Sequence, residues 1–134
     1  MRGGNTARAV PAELPEAPTT GPIDLDFLRR QALGDPGLEE EVLRLFDEMS
    51  RVYYGRLEMS TTVGDLLVNL HTLRGAAAGV GALRLAELAR TAEDELRAGA
   101  PVNPERIDDL GIAVHEVSVF IADRLEAAEA AWAQ

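Results

Sequence analysis

From Ile23 onward one pattern governs the chain: large apolar residues return every three or four positions, with acids, arginines and alanines between them. That spacing is the period of a helix with one buried face. Asp24 is placed to cap a first short helix running to about Leu33, with Ile23 stapled onto Leu28, and Gly34 stops it. Asp35 caps a second helix, helped by Pro36 in its first turn and by Glu39, Glu40 and Glu41 near its positive end. Leu38, Val42, Leu45, Met49 and Val52 form its apolar stripe, and the pattern predicts its end near Glu58.

Thr61 or Thr62 caps a third helix whose inward stripe is Val63, Leu66, Leu70, Leu73, Ala77 and Val80, ended by Gly79 and Gly81. A fourth covers Leu83–Ala98, with Leu85, Leu88, Ala92 and Leu96 inward and Gly99 and Pro101 closing it. Asn103 and Pro104 open a fifth, along which Ile107, Leu110, Val114, Val117, Ile121, Leu125 and Ala128 keep one face apolar. No segment alternates with period two, so strands are not required. The pattern predicts an all-α fold: an antiparallel up-down four-helix bundle with the short N-terminal helix capping one end.

Composition narrows the picture. At 134 residues and 46% apolar content, the chain builds one domain with a single core. Residues 1–22, rich in Pro, Gly, Thr and Ala, read as a flexible N-terminal tail ahead of a bundle over 23–132. Only 4% of residues are aromatic, which favours packed helices over a sheet. A net charge of −10 argues against sequence-independent nucleic-acid binding and against adhesion to anionic lipid. The absence of Cys excludes disulfides and thiolate metal sites, and two distant histidines, His71 and His115, do not make a metal cluster. No apolar run is long enough to span a membrane, and MRGGNTARAV is too polar for a secretory signal, so the cytoplasm is the expected location. All 13 basic residues are Arg.

The chemistry concentrates in Asn69–Gly81, NLHTLRGAAAGVG. With Leu70, Leu73 and Ala77 turned inward, His71 falls on the opposite face beside Leu67, Val68, Arg74, Gly75 and Ala78. Gly75 in mid-helix costs about 1 kcal/mol relative to alanine, and Gly64, Gly75 and Ala78 leave little bulk around the imidazole. A neutral imidazole offers a lone pair to phosphorus. In mid-helix no N-terminal dipole assists an anion, so a side-chain cation must, and Arg74 lies one turn along the same surface. Arg74, Arg84 and Arg90 outnumber Glu87 over this stretch, an arrangement that would steer an acidic partner. Leu67 and Val68 are expected to be exposed docking residues. Phosphoryl transfer is largely position and electrostatics, with a metal neutralising charge. No carboxylate cluster surrounds His71, so the partner is expected to bring both Mg2+ and its acidic pocket.

HTLRG, followed by Gly81 ten residues after the histidine, resembles the signature of histidine-containing phosphotransfer (HPt) domains. That pattern is His, any residue, an apolar residue, Lys or Arg, Gly, and a second Gly at this distance. PIDLDFLRRQALGDPGLEEEVLRLFDEM is similar to the family's capping helix and first long helix, and the resemblance spans about residues 23–130. It implies His71 as phosphoacceptor on its outer ring nitrogen, Arg74 as the phosphoryl-stabilising cation where Lys is commoner, and Gly75 as the small docking position. It further implies a monomeric bundle, without cofactor or ATP site, exchanging phosphate with the receiver domains of response regulators or hybrid sensor histidine kinases.

Other readings compete. A bundle of this kind could dock a receiver or kinase without turnover, and a sensor-kinase dimerisation domain also presents a helical histidine. The latter builds its bundle from two chains, whereas four long helices are present in this one. His115, beside the last helix's apolar stripe, reads as structural. Glu39–Glu41 and Glu93–Glu95 read as solvated faces, and Trp132 as a late packing contact or an exposed side chain.

Overall fold

A computed structural model describes residues 21–133. The expected tail therefore lies outside the described residues, except for Gly21 and Pro22. Five helices follow in order: α1 Leu25–Gln31, α2 Pro36–Met59, α3 Val63–Val80, α4 Leu83–Arg97 and α5 Pro104–Trp132. The described residues contain no strand.

Helix starts follow local chemistry. Asp24 accepts a hydrogen bond from the Phe27 N–H at 3.1 Å, and Asp35 accepts from those of Gly37 and Leu38. Thr62, rather than Thr61, caps α3 through the Asp65 N–H, and Asn103 caps α5 through Glu105 N–H. Each side-chain oxygen satisfies donors that a helix start leaves without partners. Glycine at position 79 does not end α3; the helix stops at Val80 and turns at Gly81, whose φ of 89° is left-handed. A Cβ at Gly81 would lie 3.0 Å from both the Asp24 carbonyl oxygen and the Phe27 ring. The Asp24 N–H donates to the Gly81 carbonyl at 2.9 Å, so α1 is pinned across the turn between α3 and α4.

The four long helices contact one another in a closed cycle, α2 to α3 to α4 to α5 and back to α2, while α1 touches α2 and α3. Inside lie Leu66, Leu70, Leu73, Ala77, Leu85, Ala89, Leu110, Val114, Val117 and Ile121, with Ile23 and Leu28 closing one end. Three side-chain hydrogen bonds tie α5 to α2 among the described residues: Tyr54 Oη donates to the Ile107 carbonyl, Ser118 Oγ donates to Asp47 at 2.7 Å, and Trp132 Nε1 donates to Glu40. Gly111 lets the Tyr54 ring approach, since a Cβ there would sit 2.5 Å from Oη. Arg106 on α5 pairs with Glu95 on α4 at 2.6 Å. No helix among the described residues is long and apolar enough to cross a membrane.

The expected faces of α3, α4 and α5 hold in their main lines, with Val63 exposed at the first turn and Leu88, Leu96, Ile107, Leu125 and Ala128 only partly covered. Helix α2 is rotated from its predicted register. Leu38, Leu45, Met49 and Val52 are exposed, Val42 is half-buried, and the core face is Glu39, Leu43, Phe46, Ser50 and Leu57. Both sets share the same spacing, and the polar Ser50 made the true one look broken. The Ser50 hydroxyl donates to the Asp47 carbonyl within the helix, so its burial leaves no unsatisfied donor.

Candidate functional site

The inward run Leu70, Leu73 and Ala77 fixes which side of α3 faces solvent, and His71 emerges there with a side chain 59% exposed. Arg74 folds back over the same turn, and Gly75 and Ala78 are exposed beside it. A Cβ on Gly75 would meet nothing within 4 Å, so no contact inside this chain requires glycine there. Val68 is 65% exposed, whereas Leu67, expected on the surface, is half-buried.

One residue absent from the expected site organises it. Glu93 on α4, expected from the sequence on a solvated face, is 2% exposed in the seam between α3 and α4. It stands at the foot of the buried face formed by Leu85, Ala89 and Ala92, where the small alanines let α4 lie close to α3. Glu93 Oε2 lies 3.1 Å from His71 Nδ1 and accepts from Arg97 Nε at 3.1 Å and Nη2 at 2.8 Å. Arg74 Nη1 stands 3.4 Å from Oε1, close enough for charge attraction, but Oε1 accepts no hydrogen bond. Burial pushes the Glu93 pKa up; hydrogen bonds from Arg97 and His71 and the charge of Arg74 outweigh it and hold the carboxyl below its ordinary value. The carboxylate is therefore ionised at neutral pH.

His71 Nδ1 faces opposite demands. Glu93 requires a proton there, while Arg74 Nη2, also 3.1 Å away, would require a lone pair. Among the described residues Nε2 makes no hydrogen bond and is the ring's open atom.

The remaining expectations divide. Arg90 is tied to Glu87 and Asp94, and Arg84 lines a separate groove with His115, so of the expected run only Arg74 stands at His71, where it shares Glu93 with Arg97. His115 is exposed rather than structural, because it sits one position beyond the buried Val114. Glu39 is buried in the first turn of α2, and Glu95 is half-buried against Arg106, so neither is simply solvated. Trp132 is exposed, its indole N–H donating to Glu40. No group of three His, Asp or Glu side chains suited to a metal ion occurs among the described residues. Glu93 and Arg97 carried one legible signal: they are an i,i+4 pair, and Glu93 continues the inward register eight residues after Leu85.

Comparison with known proteins agrees with this arrangement. Of the solved structures, histidine phosphotransferase ShpA from Caulobacter crescentus matches with 26% identity and a TM-score of 0.66, covering 85% of this chain and 100% of that one. No curated protein sequence matches. The family model described as Hpt domain matches residues 38–131. That span holds α3, α4 and the whole of the His71–Arg74–Glu93–Arg97 cluster, and the chain belongs to the Hpt domain family.

Proposed function

We propose that this chain is the phosphotransfer intermediary of a two-component relay in bacteria, taking a phosphoryl group from a receiver aspartate onto His71 and passing it to another receiver. The observation that carries the reading is the open Nε2 of a histidine 59% exposed, beside a guanidinium and next to a glycine that nothing in the chain requires. Arg74 is the cation that meets the phosphoryl oxygens, for which a planar guanidinium is well shaped. Gly75, Ala78, Val68 and the half-buried Leu67 are the floor on which the receiver sits. The receiver provides Mg2+ and the carboxylates that bind it. The chain is read as a cytoplasmic monomer, its long helices running alternately up and down as an antiparallel four-helix bundle with α1 as the cap.

The rotated register of α2 extends that floor. Glu40, Asp47 and Tyr54 are the flank of α2 bonded to α5, so Val42 and Met49 lie on the flank turned toward α3. The exposed Leu45, Met49 and Val52 thus offer apolar surface adjoining the α3 face, where a charge-rich protein would be expected to show acids. The direct test is incubation with a receiver carrying labelled aspartyl phosphate. Acid-labile label on the wild type, lost in His71→Gln, is the expected result; stable binding with no label would leave a docking module without turnover.

A further inference from the structure

We propose that Arg56, on the edge of α2 beside α3, selects the partner by pairing with a carboxylate on the receiver's surface. The inference rests on the phosphotransfer reading of His71 and adds to it the chemistry that the receiver must present.

Helix α2 carries three arginines, and the chain treats them differently. Arg44 stands near Glu40 and Glu41, and Arg51 bonds to Asp47 at 3.1 Å. Arg56 is exposed and pairs with no carboxylate among the described residues; its guanidinium carbon lies 4.7 Å from the centre of the Tyr53 ring. With 23 acidic residues to 13 basic ones the chain has acids to spare, yet none is set against this cation. The ring beneath it is anchored, since Tyr53 is half-buried and packs on the core. Stacking on a fixed ring holds the fork of donors in place, so less freedom is lost when a carboxylate arrives.

Two bonds fix the level of Arg56 along the bundle. Asn69 Nδ2 on α3 donates to Ser60 Oγ at 3.3 Å, and Ser60 Oγ donates to the Arg56 carbonyl at 2.8 Å. Helices α2 and α3 are joined by residues 60–62, so one turn back from Ser60 corresponds to one turn on from Asn69. Arg56 is therefore level with Leu73, within the turn that holds His71 and Arg74. Val42, Met49 and Arg56 follow at seven-residue steps along the flank turned toward α3. Neighbouring helix axes lie about 8–10 Å apart. A receiver covering about 800 Å² around His71 would reach about 16 Å from it, which puts Arg56 at the rim of the contact. Charges at a rim govern encounter and the choice of partner. Arg74 meets the phosphoryl group; Arg56 meets the protein that brings it.

A plainer role exists, because a cation in the last turn of α2 also favours the helix dipole whatever the partner does. Titration of unphosphorylated receiver domains from the same organism against the full chain, at low and high salt, separates the two. At low salt Arg56→Gln should weaken binding about 3- to 5-fold and Arg56→Glu about 10-fold or more, with both losses shrinking as salt rises. Arg30→Glu makes the same charge change on an exposed arginine of α1, at the far end of α2, and should cost about twofold at most. In single-turnover transfer the Arg56 variants should need more receiver to reach half the maximal rate, whereas Arg74→Gln should lower the maximal rate itself. Replacing the matching receiver carboxylate with Arg should restore binding to Arg56→Glu. Unchanged affinity in Arg56→Glu, an equal loss in Arg30→Glu, or a loss matched by the free protein's melting temperature would refute the assignment. Binding without label would count against the relay reading alone, since the titrations would still decide the role of Arg56. Failure of every receiver to bind the wild type would overturn both.

Discussion

His71, Arg74 and Gly75 occupy one turn of α3, and their replacements are expected to fail in different ways. His71→Gln should abolish label uptake while leaving the melting temperature within about 3 °C of wild type, because the His71 side chain is 59% exposed and a glutamine amide can still donate to the buried Glu93. Gly75→Ala should stabilise the fold by about 0.5–1 kcal/mol in urea unfolding, since helix propensity improves and the new Cβ meets nothing. The same change, and more so Gly75→Leu, should weaken binding of the receiver. Glu93 makes stability depend on pH in a definite direction. Its folded pKa lies below the unfolded value, so its contribution is present above the ordinary carboxylate range and is lost as pH falls through the lower, folded pKa. Unfolding curves of the wild type should therefore lose more stability on acidification than those of Glu93→Gln.

At the level of helices, what the sequence made legible was local. Asp24, Asp35 and Asn103 cap helices through bonds spanning two or three residues, and such chemistry is visible in the letters themselves. The register of α2 was not, because the sets containing Leu45 and Leu43 have the same period, and only the positions of α3 and α5 decide which is covered. Glu93 stayed hidden for a related reason: with Arg97 four residues on it looks like an ordinary surface pair, and its burial depends on α3 lying alongside. His71, Arg74 and Gly75 were legible because their oddity is internal to one segment: a glycine and a histidine where a packing helix would have neither. The Tyr54–Gly111 contact links two helices 57 positions apart by residue number and left no such trace. Gly111→Ala should cost about 1–3 kcal/mol by displacing the ring and breaking the Tyr54–Ile107 bond. Chemical denaturation compared in the wild-type and Tyr54→Phe backgrounds would measure how much of that loss is coupled to the hydroxyl.

For the molecule as a whole, the packed interior and the outer surface of α2 serve separate ends. Leu43, Phe46 and Leu57 hold the helices together, while Leu45, Met49 and Val52 remain available to a partner. Leu45→Asp is accordingly expected to raise the dissociation constant for the receiver about tenfold or more, with little change in denaturation midpoint. Titration calorimetry alongside thermal melts would separate these effects, and equal losses in both would place Leu45 in the core after all.

The cluster of Arg74, Arg97 and Glu93 carries one unit of surplus positive charge when the ring is neutral. A phosphoryl group adds about −1.5 to −2, and the ring's own acquired charge cancels part of that. Loading thus changes the local electrostatics by little, at an atom that protrudes from the bundle. Cargo of that kind gives the helices no reason to rearrange, so the loaded and empty proteins should have nearly the same shape. The message would then lie wholly in which partner next removes the group, as with a courier whose appearance does not reveal whether the bag is full.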